Sequence, residues 1–220
     1  MSAVFRREMR GFLVTPAGWA FLIMYTLLAG VVTVFINIGQ EMSASVNLTL
    51  SAMQLPFLLI SPLLTMRMFA EERRMRTDQL LLTSPGSLPG IVLGKYLAAV
   101  TVLCLTGLAT LLYVAVVAIY GTVYPAELAV NYLGFLLQGC AFVALDLYLG
   151  SWAGTPVVAA VMGFGANLLI WIMDLAADQI GITAVEKGIE FFSLYGRNEP
   201  FLMGQLSFAN AVYDISFAAA

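Results

Sequence analysis

Long apolar runs separated by short polar breaks set the plan of this chain. The runs cover about residues 17–36, 48–66, 91–120, 128–152 and 156–174. A helix needs roughly 20 residues to cross a bilayer core, and these runs meet or approach that length. In lipid, every backbone N–H and C=O must be satisfied within its own segment, so the runs predict spanning helices. A β-barrel would alternate over segments of about 10 residues, and these runs do not alternate. Apolar residues return over 209–220, where the pattern is cut off partway, so we expect the start of a sixth span there.

The polar breaks are informative in their own right. Phe5, Met9, Phe12 and Leu13 follow the i, i+4, i+7, i+8 rhythm, with Arg6, Arg7 and Arg10 on the other side. That predicts a basic amphipathic helix over 1–15, lying on an anionic leaflet. A cleaved signal peptide would also put arginine before an apolar run, but its apolar core is only about 7–15 residues long. Pro56 and Pro62 interrupt the second run, and the chain's densest charge cluster follows it: Arg67, Glu71, Glu72, Arg73, Arg74, Arg76 and Asp78. The cluster flows into Leu80-Leu-Leu82 and closes at Pro85-Gly86. Mixed charge beside an apolar patch predicts a surface helix over 67–85, one face on the membrane and one for a protein partner. Residues 175–208 are mixed, with Asp178, Glu186, Lys187, Glu190, Arg197 and Glu199 breaking any span.

Composition sharpens this plan. Hydrophobic residues make up 61% of the chain and charged ones 10%, against about 25% charged in a soluble domain, so lipid is its expected solvent. A net charge of −3 argues against a nucleic-acid partner, which would call for a basic field. With no histidine, and with Cys104 and Cys140 inside apolar runs, no metal centre is expected. Eight of the ten Lys and Arg residues precede the first span or lie between the second and third. Positive charge marks the cytoplasmic side, so the N-terminus and the 67–85 loop are expected there, and 175–208 outside.

Candidate chemistry is sparse. Gly94-Lys95 is followed by Tyr96 and lacks the upstream glycine of a phosphate loop, so nucleotide binding by this chain is not expected. No Ser/His pair exists, and no catalytic residue can be assigned. Polar residues inside spans are functional candidates. Ser51, Gln54, Ser61 and Thr65 share one face of the second span, and Ala160, Gly163, Asn167 and Asp174 one face of the fifth. Either these stripes line a translocation path, or they make helix–helix hydrogen bonds worth about 0.6 kcal/mol each. Gly150 and Gly154 have the spacing of a close-packing motif. Asp146 is the one acid deep in an apolar run without a neighbouring reason; unpaired, it would cost about 2.5–3.5 kcal/mol at mid-membrane. Lys95 and Arg67 stand at the same level, so we expect a charge cluster of Asp146 with Lys95 or Arg67, the alternative being a water-filled vestibule.

The segment Phe69-Ala-Glu-Glu-Arg-Arg-Met-Arg-Thr-Asp-Gln-Leu-Leu-Leu-Thr-Ser-Pro85, followed by Ile91-Val-Leu-Gly-Lys-Tyr-Leu-Ala-Ala99, resembles the signature cytoplasmic loop of ABC-2 type permeases. Within them the likeness is to the gliding-motility GldF-like group. Arg6-Arg-Glu-Met-Arg10, Thr155-Pro-Val-Val-Ala-Ala160, Leu169-Ile-Trp-Ile-Met-Asp174, Phe192-Ser-Leu-Tyr195 and Glu199-Pro-Phe-Leu-Met-Gly204 are similar to other landmarks of that group. The resemblance implies an all-α polytopic membrane domain of the type V exporter-like kind. It would have an amphipathic elbow helix, six spans, a coupling helix in 67–85 and re-entrant helices before the sixth span. It further implies a second permease chain, identical or paralogous, and separate ATP-binding subunits that carry ATP and magnesium. These would dock on Glu71, Glu72, Arg73, Arg74, Arg76 and Asp78. The expected setting is a bacterial cytoplasmic membrane. Asp146 departs from the group, where small or apolar residues are usual. Two rival readings are a structural membrane subunit without transport, and an intramembrane enzyme using Asp146, Asn167 and Asp174.

Overall fold

The computed structural model describes residues 2–37, 46–76, 87–120, 124–180 and 193–219, and among them the regular structure is helical throughout. Helix α1 (Ser2–Val14) leads into α2 (Pro16–Asn37), followed by α3 (Val46–Thr65) and the short α4 (Ala70–Arg74). Then come α5 (Leu88–Tyr120), α6 (Pro125–Trp152) and α7 (Pro156–Ile180). A 3-10 turn at Gly196–Asn198, α8 (Glu199–Leu202) and α9 (Phe208–Ala219) complete the described chain. Five of these, α2, α3, α5, α6 and α7, contain stretches long and apolar enough to cross a membrane. Three of the five start on a proline, whose fixed φ and missing N–H suit the first helical position.

The elbow between α1 and α2 is tight. Thr15 N–H donates to the Gly11 carbonyl and Gly18 N–H to the Thr15 carbonyl. Gly18 rests so closely on the Phe12 backbone that a Cβ there would collide with the carbonyl, so glycine is required at this corner. The bundle core is aromatic, with the rings of Tyr25 (α2), Phe57 (α3) and Phe135 (α6) packed at 5.2–6.0 Å between centroids. Outside, the soluble pattern is inverted: Ile23, Leu27, Val31 and Phe35 form an exposed stripe along α2, a surface only lipid or another apolar chain can cover.

Beyond α7 the chain folds back into the bundle. Leu194, Asn198 and Phe201 are buried, and Gln138 hydrogen bonds Leu194 and Asn198. Gln138 lies 13 residues into α6, roughly 20 Å along its axis at 1.5 Å per residue. Helix α9 then packs along α6.

Three expectations need adjusting. The fifth apolar stretch, Pro156–Leu175, is as expected, but its helix continues to Ile180, and the third span begins at Leu88. Gly150 and Gly154 do not form a close-packing motif, because α6 ends at Trp152 and a Cβ on Gly154 would meet nothing within 4 Å. The second half of the 67–85 segment, with Asp78 and Leu80-Leu-Leu82, lies outside the described residues.

Candidate functional site

Helix α4 is only five residues long, yet it is fastened to four neighbours. Lys95, two turns into α5, is fully buried. Its ammonium pairs with Glu72 of α4 at 2.9 Å and with Glu8 of α1 at 3.2 Å, donates to the Met68 carbonyl, and sits 4.9 Å from the centre of the Phe69 ring. Arg7 closes the cluster by pairing with Glu8 at 2.6 Å and with Glu72. Burial of the guanidinium opposes its charge, but the hydrogen bonds and fields of Glu8 and Glu72 outweigh that and raise the Arg7 pKa. On the far side, Arg73 donates to the Trp152 carbonyl at 3.1 Å, placing a cation on the C-terminal end of α6, where the helix dipole favours one. Ala70 is buried with Ala153 and Ala159, the latter on α7. The result is a junction joining α1, α4, α5, α6 and α7 at the arginine-rich end of the bundle.

This geometry divides the charged residues expected to meet a partner. Glu72 is half-buried and pairs inward, and Arg73, though exposed, is tied to the Trp152 carbonyl. Arg74, Met75 and Arg76 are exposed, and Arg76 leaves the helix in the left-handed conformation at φ 54°. Arg67 and Glu71 form an exposed pair one turn apart at 3.6 Å, a kind worth about 0.3–0.5 kcal/mol. Glu8 was missed by the sequence reading, although the signal was available. With Phe5, Met9 and Phe12 it occupies the packed stripe of α1 rather than the arginine face.

The expected cluster of Asp146 with Lys95 or Arg67 does not form. Lys95 is consumed by Glu8 and Glu72, and Arg67 pairs with Glu71. Asp146, 2% exposed, instead accepts from Ser61 Oγ at 2.8 Å and from Asn167 Nδ2 at 3.1 Å. The physical reason lies in α3. Pro62 has no N–H, so the Leu58 carbonyl four residues earlier loses its helical partner. Asn167 Nδ2 reaches it at 3.2 Å and Ser61 Oγ at 3.1 Å. One amide thus serves the freed carbonyl, the hydroxyl and the carboxylate together. Gly163 makes room, since a Cβ there would stand 2.8 Å from Asp146 Oδ1 and 2.9 Å from the Pro62 ring.

A second neutral hub lies further along the same bundle. Gln138 Oε1 accepts from Asn198 at 2.7 Å and from Gln54 at 3.4 Å, while its amide donates to the Leu194 carbonyl at 3.2 Å. Gln54, Ser61, Thr65 and Asn167 are therefore buried in contacts within this chain, with Ser51 only half-buried. Of the two readings the stripe left open, these contacts are hydrogen bonds between helices of the bundle. The Asp174 carboxylate accepts from the backbone N–H groups of Tyr195 at 3.1 Å and Gly196 at 3.4 Å, pinning the fold-back. Asp146 and Asn167 meet, and Asp174 serves a different contact.

Residues 2–192, most of the chain, match the family described as "ABC-2 family transporter protein". No curated protein gives a match.

Proposed function

Because this multi-pass membrane chain belongs to the ABC-2 transporter family, we propose that it is the permease subunit of an exporter driven by a separate ATP-binding subunit. The observation that carries this reading is the junction: one short helix at the arginine-rich end holds the ends of four others. A push on α4 moves α1, α5, α6 and α7 together. The excess of Arg and Lys at that end favours a cytoplasmic position for it, facing a soluble partner. The exposed Arg74, Met75 and Arg76 offer the contact. The partner supplies ATP and magnesium. Nucleotide binding there shifts α4 between two arrangements, as coupling between distant sites demands.

A second permease chain, identical or paralogous, completes the path. The polar side chains of the described spans are turned mostly into contacts within this bundle, which favours a path between chains. Within the family, the 67–85 segment favours kinship with the gliding-motility group, and the apolar bundle favours a bacterial cytoplasmic membrane. The test is biochemical. The purified chain alone should neither bind nor hydrolyse ATP, and from membranes it should capture an ATP-binding subunit through α4. Charge reversal at Arg74 and Arg76 together should weaken that capture while leaving the bundle folded. Nucleotide binding by the isolated chain, or capture indifferent to α4, would overturn the reading.

A further inference from the structure

Arg6 and Arg10 lie one turn apart on the outward face of α1, exposed and without a salt-bridge partner among the described residues. Arg7, by contrast, is held by Glu8 and Glu72. The same helix exposes Leu13 and Val14 at its end. The elbow at Gly18 ties it directly to the first span, and Trp19 donates its indole N–H to the Leu13 carbonyl at 2.8 Å across that elbow. Tryptophan at a span boundary marks the headgroup level. A basic face, an apolar tip and a tryptophan anchor together fit a helix lying in the interface of an anionic bilayer. They fit an acidic protein surface less well, since that would leave Leu13 and Val14 uncovered. The packed face of α1 carries Glu8, which reaches Lys95 and through it Glu72 of α4.

We infer that α1 binds anionic phospholipid headgroups through Arg6 and Arg10 and passes that state to α4 through the pairs that Arg7 and the Glu8–Lys95 couple make with Glu72. Anionic lipid draws α1 onto the membrane surface, and the ion pairs that converge on Glu72 carry the constraint to α4. The consequence for transport rests on the proposed role of α4, but the lipid link itself needs no nucleotide. It is therefore tested separately. The full chain is placed in nanodiscs of phosphatidylcholine, with or without phosphatidylglycerol, and backbone hydrogen exchange is followed over α1 and α4. Phosphatidylglycerol should slow exchange in both helices, by about fivefold for one headgroup contact.

Arg6→Gln with Arg10→Gln should abolish the response in both helices, and Arg6→Lys with Arg10→Lys should keep it. Glu72→Gln, which removes the carboxylate that both Arg7 and Lys95 pair with, should keep the response in α1 and lose it in α4. Should Glu72→Gln fail to fold, raising salt to about 1 M, where screening acts within about 3 Å, should erase the lipid response of the wild-type chain. An α1 indifferent to phosphatidylglycerol would overturn the lipid assignment in favour of an acidic protein partner. An α4 that responds equally well in Glu72→Gln would overturn the link.

Discussion

Two carboxylate sites of this bundle, one half-buried and one fully buried, are stabilised by opposite means. At the arginine-rich end, Glu8 and Glu72, with side chains 17% and 15% exposed, are met by two full cations, Lys95 and Arg7. Further along the spans, Asp146 is met only by neutral donors, the hydroxyl of Ser61 and the amide of Asn167. Near the headgroups, charge is cheaper to hold, and long side chains reach across elements. Inside the hydrocarbon, an added cation would cost more than it returns. Ion pairs join α1, α4 and α5 at the rim, whereas hydrogen bonds from neutral donors tie α3, α6 and α7 together.

Breaking each site measures that contrast. Lys95→Met leaves Glu8 and Glu72 with Arg7 alone, and removing one partner of a buried pair costs roughly 3–5 kcal/mol. A large fall in unfolding temperature in detergent is expected, with most of it recovered in Lys95→Met combined with Glu8→Gln and Glu72→Gln. Stability untouched by Lys95→Met would mean that the junction is an exposed surface cluster after all. Asn167→Ala comes next, since it removes the amide that the Leu58 carbonyl, Ser61 and Asp146 share and leaves them only the single Ser61 hydroxyl, at about 1–3 kcal/mol. Asp146→Asn should cost less, about 1 kcal/mol, because an amide oxygen still accepts. If it cost as much as Lys95→Met, charge rather than hydrogen bonding would hold the deep site, and the contrast would collapse. Arg74→Glu in the isolated chain should be the mildest, within about 1 kcal/mol, its effect appearing only in complex assembly.

The spans were legible because length and apolarity encode them, and prolines mark where three of them start. What the sequence concealed was rotation and pairing. Asp146 and Lys95 were read at one level, yet nothing in a single chain fixes which way α5 and α6 turn, and Lys95 turns toward α1 and α4. Ser61 and Asn167 were each singled out on polar stripes of their own helices. That the two stripes meet on Asp146 depends on contacts 106, 85 and 21 residues apart in sequence. Glu8 was readable from its register with Phe5 and Phe12, but three neighbouring arginines drew attention to the opposite face. The division of α4 into Glu72 and Arg73, which are tied to other helices, and Arg74, which is not, had no periodicity to reveal it, because a helix of five residues is too short to show one. The fold-back around Asn198 followed from family likeness rather than from composition.

The proline in α3 also sets an order of events during synthesis. The Leu58 carbonyl loses its helical partner as soon as α3 forms, and the donor that reaches it from another helix, Asn167, is 109 residues further along the chain. At about 5–20 residues per second, the ribosome needs roughly 5–20 seconds to deliver it. Throughout that interval the carbonyl has only the long contact from the Ser61 hydroxyl of its own helix, at 3.4 Å, which favours a sheltered place beside the insertion machinery over release into lipid. The arrival of α7 ends the wait, so the third, sixth and seventh helices leave that shelter as a set.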